Sequence, residues 1–284
     1  MGLLNDKETD GVYFSAWLKR DFEEVYKVVC KVLDQYGVWH GVLEGTQDYW
    51  CRDYMPVQTA KGQFVRYRYC PDYLSKGQQQ YMTDPKNVCD KLREAWWAGV
   101  VWQELELVVD GGNVVKCGDV VVMTEKVFAE NPDVPRGKVH GMLEEAFGAE
   151  VLFLPWDSEE KYGHSDGVVR YVGDGRVVMT NYRDFDRKMA EEMWRRLERR
   201  FEVVELAYSS ERTHPDCWAY VNFLQTEQVI VVPGLGIKED REALEQLRQL
   251  FPEYGERVVQ VDARPLVKRG GAWNCISWNV KRFK

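Results

Sequence analysis

No apolar run in the 284 residues reaches the roughly 18 that a membrane helix needs, so a helical membrane protein is not expected. The amino terminus, MGLLNDKETDG, has neither the basic region nor the apolar stretch of a secretory signal. Asp6 also breaks the myristoylation pattern, which wants Ser or Thr there. A glycine-rich phosphate loop is missing too: GLGIKED (234–240) comes nearest, without the third glycine or the strand-to-helix context. Basic residues are in deficit, with 38 Lys and Arg against 46 Asp and Glu and a net charge of −8, which argues against nucleic acid as a partner. Histidine occurs only at 40, 140, 164 and 214, and none is spaced with cysteine as in a zinc site. A structural metal is therefore not expected. The seven cysteines (30, 51, 70, 89, 117, 217 and 275) are odd in number and contain no CxxC pair. They fit free thiols in a reducing, cytoplasmic compartment better than a disulfide framework.

What the chain does contain is a repeated unit. Apolar residues at helical spacing recur in LKRDFEEVYKVVCKVLDQYG, DPKNVCDKLREAWWAG, RGKVHGMLEEAFG, DFDRKMAEEMWRRLERRF and KEDREALEQLRQLF. Gly37, Gly99 and Gly148 are stop signals, and Asp84–Pro85 reads as an N-cap with proline in the first turn. Each helix leads into a strand: VWHGVLE, LELVVD, EVLFLP, EVVELAY and RVVQVDA. Other β-rich runs, FVRYRY, DVVVMT, RVVMTN and QVIVVP, lie between the units. The helices end near 37, 98, 147, 201 and 251, so five β–α–β units in one repetitive α/β domain are expected over 1–284. Periodicity alone also permits a doubly wound parallel sheet.

Polar loops follow the strands after four of the helices: EGTQDYWCRDYMP (44–56), DGGN (110–113), GHSDG (163–167) and RGGAWNC (269–275). If the units are equivalent, these loops share one end of the molecule, where Asp53, Asp110, His164, Asp166 and Cys275 converge. A cysteine near neutral pH is mostly thiol, and a histidine or a bound cation is needed to make it a nucleophile. His164 can act as general acid and base, with Asp110 fixing its tautomer. Asp53 and Asp166 are then surplus to an acyl-transfer protease, whereas two carboxylates suit a planar guanidinium. Each piece also has a plainer reading: Cys275 as a core thiol, DGG as a turn, HSD as a capped turn, HPDC (214–217) as a loop. Cys51 is the rival nucleophile, without an adjacent base in sequence.

DYWCRDYMP, DGGN, GHSDG, YVNF…VIVVPGLG…ALEQLRQLFPE…VVQVDARPLV and GGAWNC occur in the order found in agmatine deiminases and bacterial-type peptidylarginine deiminases, and the chain resembles that guanidine-modifying (pentein) superfamily over nearly its whole length. The resemblance implies a single-domain five-bladed α/β propeller of pseudo-fivefold ββαβ units. It implies hydrolysis of a guanidinium to a ureido group with release of ammonia through a covalent Cys thiouronium, with no metal or organic cofactor required. Cys275 then stands at the nucleophile, His164 at the acid/base, Asp53 and Asp166 at the guanidinium carboxylates and Asp110 at the group orienting the histidine. Trp50 matches a pocket tryptophan, Trp273 and Tyr54 place bulk where the family is smaller, and Trp273 is expected to meet the substrate. The chain has RDYMP where agmatine deiminases usually have RDTGP, DGG for EGG, and GGAWNC for GGGNIHC. The expected partner is agmatine or an arginine-like guanidino compound, in a protein that can form a homo-oligomer, with no nucleic acid and no membrane. Arginine or peptidylarginine deimination, amidino transfer, and a catalytically silent binding module are the alternatives. For free arginine, Arg52, Arg170 or Arg269 would have to meet the carboxylate.

Overall fold

The computed structural model describes residues 2–74, 77–95, 99–158 and 160–282. Fifteen strands among them form five three-stranded sheets. Four sheets are sequential modules. They comprise β3 (Val57–Ala60), β4 (Gln63–Arg68) and β5 (Val101–Val108); β6 (Val115–Cys117), β7 (Val120–Thr124) and β8 (Glu150–Leu154); β9 (Val169–Gly173), β10 (Arg176–Met179) and β11 (Glu202–Glu205); and β12 (Leu224–Gln225), β13 (Ile230–Gly234) and β14 (Val258–Asp262). In each module a short hairpin supplies the first two strands, and a helix returns the chain so that the third pairs parallel to the middle one. The fifth sheet takes its middle strand β1 (Gly11–Ser15) and parallel strand β2 (Trp39–Leu43) from the chain start, and its antiparallel strand β15 (Ser277–Val280) from the chain end. The result is a five-bladed α/β propeller closed by pairing between residues more than 260 positions apart.

The helices follow the amphipathic stripes, with two adjustments. The first stripe is split at Phe22 (φ −134°, ψ 52°) into Ala16–Asp21 and Glu23–Gln35. The second gives Pro85–Ala95, started by Asp84, whose carboxylate accepts the Lys86 N–H at 2.9 Å. Its expected end near 98 lies outside the described residues. Arg136–Phe147, Arg187–Leu197 and Asp240–Leu250 complete the set, and Gly148 ends the first of these at φ 63°. No described helix is long and apolar enough to cross a membrane.

Apolar burial is divided among clusters between modules. One joins Val12, Phe14 and Leu33 of the closing module to Ile230, Val232 and Leu247 of the module before it. Another joins Val65 and Leu107 to Val121 and Leu143. The modules thus hold one another, and the loops after β2, β5, β8, β11 and β14 are brought to a common end.

Candidate active site

The five loops deliver the site side by side. The loop after β2 makes one helical turn, Cys51–Tyr54, and carries Asp53. The loop after β5 carries Asp110 ahead of the turn Gly111–Asn113. The loop after β8 carries His164 and Asp166 around the turn Ser165–Gly167. The loop after β11 brings Trp218 and Asn222, and the loop after β14 ends on Cys275. A cavity of about 800 Å³ collects them, with Trp50, Asp53, His164, Asp166, Trp218, Asn222 and Cys275 in its wall.

Close approach explains the glycines in these loops. A methyl group on Gly112 would lie 2.6 Å from both Asp53 Oδ1 and His164 Nδ1, and one on Gly111 would strike the Arg52 carbonyl at 2.1 Å. Gly271 makes room for the Trp50 ring, whose edge would stand 2.3 Å from an added carbon, while Gly270 turns the chain at φ 94°.

His164 sits between two carboxylates. Its Nε2 is 3.1 Å from Asp110 Oδ2 and its Nδ1 is 3.6 Å from Asp53 Oδ1. Burial opposes the charged ring, but Asp53, the bond to Asp110 and the charge of Asp166 outweigh it and lift the imidazole to about 10. A doubly protonated ring has a donor for each carboxylate. Asp110 is fully buried; desolvation pushes it up, yet His164 and Lys126 hold it below the usual carboxylate range. Desolvation lifts Asp53 to about 7, against His164 and with the help of Asp110 and Asp166. Its Oδ1 accepts the Gly112 N–H at 3.1 Å, and its Oδ2 accepts the Tyr73 hydroxyl at 3.2 Å.

Across the cavity the Cys275 thiol donates to Asn222 Oδ1 at 3.2 Å and stands 3.8 Å from Asp166 Oδ2. Asp166 Oδ2 also accepts from Asn274 Nδ2 at 2.7 Å. Burial, Asp166 and Asp53 push the thiol well above its ordinary range, a shift that a cation entering beside the two carboxylates would oppose. Cys51 is elsewhere: fully buried, it donates to the Ile276 carbonyl at 3.0 Å.

The geometry brings Cys275, His164, Asp53, Asp110, Asp166 and Trp50 together. Asp110, although one methylene shorter than glutamate, reaches the histidine. Trp273 is corrected: its ring is fully buried, packs in the core between the last and first modules, and donates to the Val261 carbonyl at 3.3 Å. A large flat ring next to a glycine turn is accommodated inward, so it lines no part of the cavity. Arg52 and Arg170 also point elsewhere, 4.0 and 3.0 Å from the Asp6 carboxylate that they share with Lys116 at 3.5 Å. Arg269 is exposed and absent from the wall. Among the described lining residues there is no Lys or Arg, while Asp157, Glu160 and Asp186 add to the negative charge. Among the described residues, no group of three or more His, Cys, Asp or Glu side chains is set to hold a metal ion.

Sequence reasoning missed Asn222, Tyr73 and Lys126. Asn222 was findable, since YVNF follows the fourth post-helix strand as the other polar loops follow theirs. Tyr73, in a hairpin-to-helix segment, gives no pattern.

A family model described as "Porphyromonas-type peptidyl-arginine deiminase" matches residues 20–280. A protein of Selenomonas ruminantium named "Putative agmatine deiminase" is 26% identical over 85% of this chain and 76% of its own length. The "Agmatine deiminase" of Ectopseudomonas mendocina is 27% identical over 60% of this chain, and the alignment spans 56% of that relative. The solved structure "C. Jejuni Agmatine Deiminase" superposes with a TM-score of 0.77 at 19% identity, covering 99% of this chain and 96% of its own, a likeness of fold.

Proposed function

The chain belongs to the Porphyromonas-type peptidyl-arginine deiminase family, and from that premise we propose that it hydrolyses the guanidinium group of agmatine or a close relative to a ureido group and ammonia. The observation carrying this reading is the pairing of a thiol and a histidine with Asp53 and Asp166 in a cavity whose described wall has no Lys or Arg. A cationic head is attracted there, and an α-carboxylate as in free arginine meets no cationic partner among the described lining residues, which favours agmatine.

In this mechanism Asp53 and Asp166 hold the guanidinium. Its positive charge offsets the two carboxylates that suppress ionisation of Cys275, and the thiol proton is released as the cation enters. The thiolate attacks the central carbon, and His164, oriented by Asp110, protonates the departing ammonia. The carbon, now bonded to sulfur, is an S-alkylthiouronium. His164 then takes one proton from water as its oxygen attacks that carbon, and as the C–S bond breaks the remaining hydroxyl proton passes to the departing sulfur, giving the ureido product and restoring the thiol. Trp50 supplies an apolar wall to the substrate chain. We place the reaction in the cytoplasm, in the formation of putrescine, with a small guanidino substrate as partner and a self-associating enzyme.

The test is ammonia and ureido product measured with agmatine, arginine and an arginyl peptide. Cys275→Ala should abolish turnover and Cys51→Ala should retain most of it. Equal loss in both variants removes Cys275 as nucleophile, and no ammonia from any guanidino compound overturns the reading.

A further inference from the structure

Behind Asp110 lies a buried charge cluster for which the reaction as written has no use. Lys126 begins the short helix Lys126–Glu130 that follows β7, and its side chain is 1% exposed. The ammonium stands 3.3 Å from Asp110 Oδ2, the same oxygen that meets His164 Nε2 at 3.1 Å. It also pairs with Glu130, itself buried, and with Asp72 at 3.1 Å from the segment above the site. The Tyr73 ring covers it, with the ammonium 5.9 Å from the ring centre. Its path is built into the neighbouring loop: a methyl group on Gly163, the residue before His164, would meet Lys126 Cδ at 2.9 Å.

The charges facing His164 are one-sided. Asp53 comes from the loop after β2, Asp110 from the loop after β5 and Asp166 from its own turn, with the Tyr73 and Tyr162 rings alongside. Glu130 faces Asp110 from behind. Against these four carboxyl groups, Lys126 is, apart from His164 itself, the cation in ion-pair contact with Asp110 among the described residues. Buried charges left unpaired shift their proton equilibria rather than stay ionised.

We propose that Lys126 is a positioning residue that restrains the proton affinity of the Asp110–His164 pair, keeping Asp110 an ionised acceptor while letting His164 give up its proton. The proposal rests on His164 being the acid/base of the deiminase reading, and it concerns this chain's own pairing of Lys126 with an aspartate. Removing the ammonium takes positive charge from the far side of Asp110, so His164 binds its proton more tightly. Removing the Glu130 carboxyl, which burial lifts to about 8, has the opposite sign once that group would have ionised.

The measurement is ¹⁵N NMR titration of histidine-labelled protein, in which four histidines give resolvable signals and His164→Gln identifies the one sought. Lys126→Met should raise the His164 midpoint by about one pH unit or more, and Lys126→Arg should stay within roughly half a unit of wild type. Glu130→Gln should lower it, and that variant carries the test if Lys126→Met does not fold. The pH profile of kcat should move in the same directions as the midpoint. Unchanged midpoints, or shifts of one sign in both Lys126→Met and Glu130→Gln, overturn the proposal. Absence of turnover with the opposite shifts present would sink the deiminase reading, and with it the catalytic use of the pair, while leaving the charge coupling of Lys126 and Glu130 to His164 established.

Discussion

Gly112→Ala should disable the site while sparing the fold. The added carbon would stand 2.6 Å from Asp53 Oδ1 and from His164 Nδ1, whereas ordinary contact begins near 3.4 Å. Neither neighbour can yield freely: Asp53 is tied to the Gly112 N–H and the Tyr73 hydroxyl, and His164 to Asp110. Both must therefore retreat by about 0.8 Å, and a misplacement of about 1 Å costs on the order of 10²-fold in rate, or about 2.7 kcal/mol of barrier. The overpacking itself should cost about 1–3 kcal/mol of stability. Steady-state ammonia release gives kcat and KM, and a thermal melt reports the fold. Gly141→Ala is the control, because nothing lies within 4 Å of its added carbon and it sits inside the helix Arg136–Phe147. It should gain about 0.5–1 kcal/mol and leave turnover alone. A folded Gly112→Ala with kcat within about threefold of wild type would refute the steric argument.

Asp53, lifted to about 7, is largely protonated in the free enzyme below that pH, whereas the proposed mechanism has a guanidinium bind its ionised form. Thus kcat/KM should fall as pH drops through 7, approaching tenfold per unit, and a flat profile from pH 5.5 to 7 would contradict this. Asp6 is opposed by desolvation but is drawn down to about 2 by Arg52, Lys116 and Arg170. Its depressed value adds about 2 kcal/mol, present above pH 4 and lost as pH falls through 2. Asp6→Asn should cost about 3–5 kcal/mol at pH 7 by urea unfolding, with the gap to wild type narrowing towards pH 2. Trp273→Phe should lower Tm while KM stays within about twofold, since the ring is core; a large KM change would return it to the pocket.

The sequence carried the helices and the long strands because each has enough residues to show a period. It was silent on the short hairpin strands such as Val115–Cys117 and Leu224–Gln225, whose two or three residues alternate too briefly to register. It was silent also on Gly11–Ser15 and Ser277–Val280, whose pairing joins opposite ends of the chain and leaves no local trace. The polar site residues were legible through their recurrence after equivalent strands. Trp273 was misplaced because adjacency to Cys275 in sequence says nothing about which side of a turn a ring takes. Lys126 and Glu130 lie on a helix whose charge pattern looks like any solvated face, and only packing reveals them as buried.

Closure of the sheet built on β1 sets the order in which the site is assembled. Cys275 stands two residues ahead of β15, and the amide of Arg52, beside Asp53, donates to the Cys275 carbonyl at 3.1 Å. During synthesis β1 and Asp53 emerge early, yet the Cys275 sulfur has no seat until β15 docks on β1. A chain interrupted between Asp166 and Cys275 holds the carboxylates and the histidine without the thiol, so the sulfur joins the site together with the strand that locks the ring.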